Sequence, residues 1–277
     1  MSLFDNFGRY SACRQSAVST ELHLKQPEIN YESILMNVYG CFPRLEGKHG
    51  PRIGPVSTEQ LASRSKAIMV RLKQDPTVKN ILNGVHLPLL LPKLPERYYG
   101  SIMNRLRGRS NDYGTLMRDF FMPAVAESYW HTYHYDRKFM NLLHNRLADQ
   151  VSIAPESRHE KLVERMSREY VVGIFFPMAF QGFSASCCRR LMASLPETFL
   201  LSGGFDLATA LVCFPEALTR DSETPELSMA ALNWRRCTDR LASIKTWDEA
   251  TTLANYGDVG YGQAEFSAGL LVIEDNQ

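Results

Sequence analysis

The residues best suited to metal chemistry are one carboxylate and two imidazoles near the middle of the chain. Glu127, His131 and His134 lie at positions i, i+4 and i+7, so a helix would place all three on one face. Carboxylate and imidazole groups that converge inside a helical bundle are the ligands of di-iron proteins. Such a site needs ligands from other helices. The further candidates are His159, Glu160 and Glu164.

A polar stripe with histidines bonded to neighbouring groups explains the same three residues without a metal. Patterns of this kind arise often by chance, and no other segment repeats the ligand spacing. The leading prediction is therefore that the protein holds no metal and no other cofactor. A helical metalloenzyme with a di-metal site is kept as the alternative.

A second candidate site consists of basic side chains in the first half of the chain. Residues 51–111 contain eleven Lys and Arg against three Asp and Glu, whereas residues 201–277 contain five against twelve. Guanidinium groups bind carboxylates bidentately, so this surface is suited to acidic peptides. The predicted binding residues are Arg64, Lys66, Arg71, Arg97, Arg105, Arg107 and Arg109. A solvated helix face, or attraction between the basic and acidic parts of the chain itself, stays open as an explanation.

Motifs for nucleophilic catalysis and for phosphate binding are absent from the sequence. There is no GxSxG and no Ser-x-x-Lys set, and the Gly203-Gly204 pair and the glycines of residues 257–262 match neither a Walker motif nor a dinucleotide fingerprint. The six cysteines form no CxxC pair and are scattered along the chain. The sequence therefore favours a protein that is not an enzyme.

Composition predicts a globular protein of one large domain or two modest ones. The chain has 277 residues, of which 44% are hydrophobic and 22% are charged. A membrane-spanning helix needs about 20 apolar residues, and no run approaches that length. The first residues lack the apolar core of a secretory signal. We expect a cytoplasmic protein that reaches a membrane only through partners or through an anchor outside this sequence.

Helices are the elements predicted to position both candidate sites. Ser57 and Gln60 form a capping box before an apolar stripe, which would place Arg64 and Arg71 on the polar face of one helix. A helix over about residues 123–147 would carry the carboxylate and the two imidazoles. Further capping signals predict helices after Ser157, Thr224 and Thr246, and helical character is also expected for residues 184–195.

Fewer segments have the pattern of strands. The apolar runs 173–180 and 266–273 are typical of buried strands, and residues 86–95 are typical of a proline-broken connector. The predicted fold is mainly α, with a minor α+β part, in which packed helices are followed by a few short C-terminal strands. Residues 1–50 would form an irregular arm, 51–195 a helical core domain, and 196–277 an acidic α+β region packed on that core.

Several segments, in order, resemble the cytosolic domain of the DotM/IcmP/TrbA family of coupling complexes in type IVB secretion and IncI-type conjugation. Gly54-Pro55 precedes an Ala-containing helix, and His131-Thr132-Tyr133 resembles the family's His-Ala-Phe/Tyr helix. Residues 181–185 lie near the place of an Ala-Gly-x-Phe-Ala run, and the similarity covers about residues 31–190. The family's Trp-Leu-Lys and Leu-Trp-Tyr signatures are absent, and Ser186 stands where a His is expected.

This resemblance implies a fold of packed helices and a docking role beside a coupling ATPase. It implies a non-enzymatic adaptor or assembly subunit, at the inner face of the bacterial inner membrane, that recruits acidic protein signals. Its partners would be other protein subunits, and we do not expect direct binding of nucleic acid. Under the resemblance, His131 is a structural residue. A phage or viral structural protein is a further alternative.

Overall fold

The protein has an α/β fold built around one large mixed sheet. The computed structural model describes residues 2–11, 24–46, 55–95, 112–148, 150–220, 223–235, 238–247 and 249–275. The sheet has eight strands, and 25% of the chain is strand against 39% helix. The predicted mainly α fold is therefore wrong. No helix within the described ranges is long and apolar enough to cross a membrane.

Helices and strands are mixed along the whole chain. The described helices are α1 (Tyr31–Cys41), α2 (Pro43–Glu46), α3 (Thr58–Gln74), α4 (Asp112–Leu116), α5 (Met122–Tyr133), α6 (His159–Met166), α7 (Ala185–Leu191) and α8 (Gly204–Cys213). The described strands are β1 (Leu87–Leu91), β2 (Lys138–Asn141), β3 (Val151–Ile153), β4 (Val171–Gln181), β5 (Phe199–Leu201), β6 (Glu226–Ser228), β7 (Leu232–Trp234), β8 (Arg240–Trp247), β9 (Ala250–Asp258) and β10 (Phe266–Ile273).

The centre of the sheet is made by β4 and β10. The strand order is β1-β4-β10-β6-β8-β9-β2, and β5 also pairs with β10. All eleven residues of β4 are buried, as expected for a strand covered on both faces. β10 lies antiparallel to it, with Leu271 opposite Phe175. The two strands predicted from apolar runs are therefore confirmed. The sheet takes strands from both residues 51–195 and residues 196–277.

The helix α8 lies in the interior of the molecule. Every one of its residues is buried, and it packs against α1, α5 and β1. A helix that is apolar on all sides can be stable only when other elements surround it. The sequence Phe205 to Cys213 has this character except for Asp206 and Thr209, whose side chains are hydrogen-bonded. The polar groups around its first turn are described below.

The predicted helix over residues 123–147 is much shorter in the structure. It ends at Tyr133, because His134 has a positive φ of 52° that breaks the helical backbone. The chain then forms β2, which pairs in parallel with β9 from Lys138 opposite Ala250 onward. Apolar residues at helical spacing continue past residue 134, but pairing with a strand more than 100 residues away overrides them.

Three further local predictions fail because strand pairing decides the structure. In place of the helix predicted after Thr224, the chain forms β6, β7 and β8. In place of the helix predicted after Thr246 it forms β9, and the capping signal at Thr246 lies at the turn between β8 and β9. The predicted connector contains β1, whose Pro88 lies opposite Ile174. Proline is tolerated there because, among the described strands, β1 is the last at its end of the sheet, so no second neighbour requires a backbone N–H from this position.

The helices predicted near residues 57, 157 and 184 are confirmed. Ser57 caps α3, accepting a hydrogen bond from the backbone N–H of Gln60 while the Gln60 side chain accepts one from the N–H of Ser57. The α6 helix begins one residue later than the capping signal at Ser157 indicated. Ser184 accepts a hydrogen bond from the Cys187 N–H at the start of α7.

Candidate functional site

Helix α3 presents a buried face, an arginine row and an exposed lysine row. Its buried residues are Leu61, Ser65, Ile68 and Leu72. Arg64 and Arg71 lie seven residues apart, two helical turns, on the side that faces the end of β10. Lys66 and Lys73, also two turns apart, are exposed to solvent on another side. Helical periodicity thus separates the cations of one helix into two groups with different surroundings.

The arginine row binds the acidic residues that follow β10. The Arg64 guanidinium forms two hydrogen bonds with the Glu274 carboxylate. The Arg71 guanidinium is paired with the Asp275 carboxylate and also donates to the Ile273 carbonyl oxygen at 2.9 Å. These contacts join residues more than 200 positions apart. They confirm one open expectation, namely that the basic and acidic parts of the chain attract each other.

Helix α6 contributes a third arginine to the same place. Arg165 donates to the Glu274 carbonyl oxygen and to its carboxylate, with a nitrogen-to-oxygen distance of 3.2 Å to the carboxylate. It also donates to Glu169 at 2.9 Å. We call Arg64, Arg71 and Arg165 the arginine cradle. The cradle holds an extended acidic segment through both its side chains and its backbone carbonyls.

Burial strengthens the pairs at the centre of the cradle. The side chains of Arg165 and Glu274 are only 11% and 17% exposed, whereas Asp275 is 63% exposed. The hydrogen bonds to Glu274 raise the pKa of Arg64 above its ordinary value. Solvent screens the exposed Asp275 pair, so Glu274 makes the stronger contribution.

The other predicted basic residues have different positions. Lys66 lies on the exposed face of α3 with Lys73, and between them Val70 is 45% exposed. Arg97, Arg105, Arg107 and Arg109 lie outside the described residues. The structure therefore brings together two of the predicted binding residues, Arg64 and Arg71. It adds Arg165, which no sequence pattern had singled out.

The carboxylate and imidazoles proposed as metal ligands lie on the surface. The side chains of Glu127 and His131 are 50% and 68% exposed, and their nearest oxygen and nitrogen atoms are 3.9 Å apart. His134 follows the end of α5, so it does not continue their face. Within the described residues, no three or more His, Cys, Asp or Glu side chains are grouped so that they could hold a metal ion. The di-metal arrangement is therefore not formed by these residues.

A buried polar cluster lies at the start of α8. The Tyr113 hydroxyl accepts hydrogen bonds from the backbone N–H groups of Gly204 and Phe205, at 2.7 and 3.2 Å. It donates to Nε2 of His159 at 2.9 Å. The His159 Nδ1–H donates to the Leu201 carbonyl oxygen at 3.3 Å, which leaves Nε2 as the acceptor. Burial lowers the pKa of His159 to about 4, so this imidazole is neutral at pH 7.

A carboxylate completes this cluster. Asp206, in the first turn of α8, accepts a hydrogen bond from the Gly203 N–H at 2.9 Å. Burial raises the pKa of Asp206 to about 7, against the opposing effect of that hydrogen bond. Tyrosine, imidazole and carboxylate with shifted pKa values are typical of catalytic sites, so their surroundings decide what they do.

Close packing around the cluster indicates that it stabilises the fold. A Cβ atom added to Gly203 would lie 2.6 Å from His159 Nε2 and 2.9 Å from the Tyr113 hydroxyl. A side chain at residue 203 would therefore collide with both groups, so the cluster is closely packed on this side. The cluster instead satisfies the free N–H groups of the first turn of α8, which are buried and have no water to bond.

Sequence reasoning missed this cluster, although a signal was present. Gly203 and Asp206 have the spacing of an N-cap and the third helical residue, a position that favours a carboxylate. Tyr113 and His159 come from distant segments, and only the fold brings them to the helix start. Comparison with protein-family models, with curated proteins and with solved structures gave no match for this chain.

Proposed function

We propose that the protein is a non-enzymatic adaptor that binds acidic segments of partner proteins on the arginine cradle. The observation that carries this proposal is the contact of the cradle with Ile273, Glu274 and Asp275. In these contacts the cradle recognises two successive carboxylates and two backbone carbonyl oxygens of an extended chain. An acidic segment of a partner offers the same groups.

The residues that follow β10 act, in this proposal, as an internal competitor. A partner binds when its acidic segment displaces Glu274 and Asp275 from the guanidinium groups. The exposed lysine row of α3 then adds long-range attraction for a negatively charged partner. Competition with a tethered segment keeps the apparent affinity low, because the internal ligand is present at high effective concentration.

We further propose the place where this adaptor acts. The resemblance to the DotM/IcmP/TrbA family puts it in a coupling complex of type IVB secretion or conjugation, beside a coupling ATPase at the cytoplasmic face of the inner membrane. This part rests on the sequence resemblance alone, because the packed-helix fold that the resemblance implied is not the observed fold. Co-purification of a coupling ATPase with the protein from its native organism tests it.

Peptide binding tests the adaptor proposal directly. A fluorescent peptide with alternating Glu and Asp is titrated with the wild-type protein and with the double variant E274Q/D275N, and anisotropy is measured at low and high salt. The double variant is expected to bind about tenfold more tightly, since two partly exposed ion pairs no longer compete. Binding should weaken as salt rises, because exposed charges are screened.

Variants on the other side of the contact provide the controls. R64Q/R71Q should abolish binding, whereas Arg168→Gln should leave it unchanged, because Arg168 follows the end of α6 and forms an exposed pair with Glu164. Circular dichroism confirms that each variant is folded. Equal binding of a Gln/Asn peptide, or unchanged binding in folded R64Q/R71Q, would rule out the proposal.

A further inference from the structure

The strand β2 leaves one side of its backbone open. It pairs with β9, and the backbone N–H groups of Lys138 and Leu142 donate to the carbonyls of Glu249 and Leu253. In a parallel pair, alternate residues face the partner strand, so the N–H and C=O groups of Phe139 and Asn141 face the other way. Among the described residues, no strand pairs with that side. An edge of this kind can accept an additional strand.

One face of the sheet next to this edge is exposed and partly apolar. Lys138 and Trp247 both lie beside Ala250, and Met140 and Lys245 both lie beside Thr252, so these four side chains share one face. Leu142 continues this row beyond the end of β2. The exposed fractions are 52% for Trp247, 40% for Met140 and 43% for Leu142. We call Lys138, Met140, Leu142, Lys245 and Trp247 the open face.

The opposite face of β2 is covered by the chain itself. The ring of Phe139 packs 5.7 Å from the ring of Tyr129, which belongs to α5. At the end of α5, Trp130 is 47% exposed and Tyr135 is 77% exposed, with ring centroids 4.9 Å apart. Exposed aromatic side chains of this kind are typical of sites that bind other proteins.

The charges of the open face select an acidic occupant. Lys138 and Lys245 are its charged residues, and the Lys245 ammonium lies 4.6 Å from the centre of the Trp247 ring. The nearby Glu226 carboxylate is 4.0 Å from Lys245, but it is 5% exposed and accepts a hydrogen bond from Ser243. A second copy of this chain would bring the same lysines to the shared edge, which like charges oppose.

Acidic residues near this edge lie in turns. Asp136 precedes β2 and Glu249 precedes β9, and both are exposed. Neither belongs to the rows that form the open face. On the open face, a segment that follows β2 therefore meets Lys138 first and then the apolar side chains of Met140 and Leu142.

We infer that an extended, acidic segment of a partner protein adds to the free edge of β2 as a further strand. Its side chains on the open face would alternate between a carboxylate beside Lys138 and an apolar group beside Met140. This inference does not depend on the arginine cradle, which lies near β4 and β10 at the other end of the sheet order. Two separate binding surfaces would let the protein bridge two partners.

Amide hydrogen exchange measured by NMR tests strand addition at the residues that would form the new bonds. The peptide Thr-Glu-Thr-Leu-Thr-Glu-Thr is added to the wild-type protein at increasing concentration. The Phe139 and Asn141 amides should become protected, whereas the Met140 amide, which faces β9, should change little. Two N-methylated versions of the peptide are compared, one methylated at every Thr and the other at Glu and Leu. Their affinities should differ strongly, because only one set of N–H groups faces β2.

Side-chain variants test the charge and the location. Lys138→Glu should weaken peptide binding about fivefold, as expected for the loss of one exposed ion pair. Lys79→Glu, at an exposed position after α3 that belongs to neither binding surface, is the matched control and should leave binding unchanged. Strand addition would be refuted if Phe139 and Asn141 gain no protection at saturating peptide. A Gln-for-Glu peptide that binds equally well would refute an acidic occupant. Concentration-dependent protection of these amides without peptide would instead identify a second copy as the occupant.

Discussion

The hydroxyl of Tyr113 lies 2.9 Å from Nε2 of His159 and, on its other side, accepts hydrogen bonds from two N–H groups at the start of α8. One buried hydroxyl thereby satisfies a neutral imidazole and the first turn of a fully buried helix. The stability of the core depends on this contact, and it can be tested without a known ligand.

Replacing Tyr113 by phenylalanine should lower the free energy of unfolding by about 3 kcal/mol, because Nε2 of His159 and two backbone N–H groups lose a partner in a dry environment. Chemical denaturation measures this difference. Tyr170→Phe is the matched control. The Tyr170 hydroxyl is buried and has no hydrogen-bond partner among the described residues, so its loss should leave stability nearly unchanged. Equal losses in the two variants would contradict the proposed role of Tyr113.

Adding one methyl group beside the same cluster should also destabilise the fold. In Gly203→Ala the new Cβ would meet His159 and the Tyr113 hydroxyl at less than 3 Å, and overpacking of this kind costs about 3 kcal/mol. Gly40→Ala, in α1, meets nothing within 4 Å and should stabilise by about 0.5–1 kcal/mol. Thermal denaturation of both variants measures these changes. Opposite signs are expected, and a neutral Gly203→Ala would show that the space beside the cluster is free.

The pH dependence of stability should reveal two opposed titrations. The pKa of His159 is lowered to about 4. Its contribution to the free energy of unfolding is therefore present above the ordinary pKa of 6.5 and is lost as pH falls toward 4. The pKa of Asp206 is raised to about 7, so its contribution is present below the ordinary value of 3.8 and is lost as pH rises through 7. Between about pH 4 and 6.5 the two changes therefore offset each other.

Variants at these two positions should separate the titrations. As the pH falls from 8 to 5, the free energy of unfolding of Asp206→Asn should fall by about 2 kcal/mol relative to that of the wild type. The variant cannot gain the stabilising proton. Over the same range, the free energy of unfolding of His159→Gln should change in the opposite direction relative to that of the wild type. Urea denaturation at a series of pH values measures both. Parallel curves for all three proteins would show that neither group changes its pKa on folding.

A half-buried arginine should stabilise the region around β7. Arg189 donates to the carbonyl oxygens of Ala230 and Leu232 and to the side-chain oxygen of Asn233, at 2.7–2.8 Å. Arg189→Ala should cost about 3 kcal/mol, because these acceptors are left without a donor. The neighbouring Arg190 is exposed, so Arg190→Ala should have little effect. Denaturation curves of the two variants measure the difference, and similar curves would contradict the structural role of Arg189.

Local signals predicted well those elements that depend only on neighbouring residues. The capping box at Ser57 and the apolar stripe behind it define α3, and both are independent of the rest of the chain. The continuous apolar run of β4 likewise indicates a strand buried on both faces. The basic character of α3 and the acidic character of the last third were also visible, and with them the possibility that the two attract each other.

Most of the failed predictions share one physical cause. The segment after Tyr133 has apolar residues at helical spacing, yet it pairs with β9 because the strand bonds and the packing of Phe139 on Tyr129 are available only in the folded chain. The same applies to the segment after Thr224. Local propensity is weak compared with such long-range contacts.

By itself, the sequence determined the capped helices α3 and α7, the buried central strands and the separation of basic from acidic segments, because these follow from residue type and short-range spacing. Only the tertiary structure decided which groups meet. It placed Arg165 beside Arg64 and Arg71, it brought Tyr113 and His159 to the first turn of α8, and it left the edge of β2 without a second neighbour among the strands that the structure describes. These contacts join segments far apart in the chain, and burial gives them their strength.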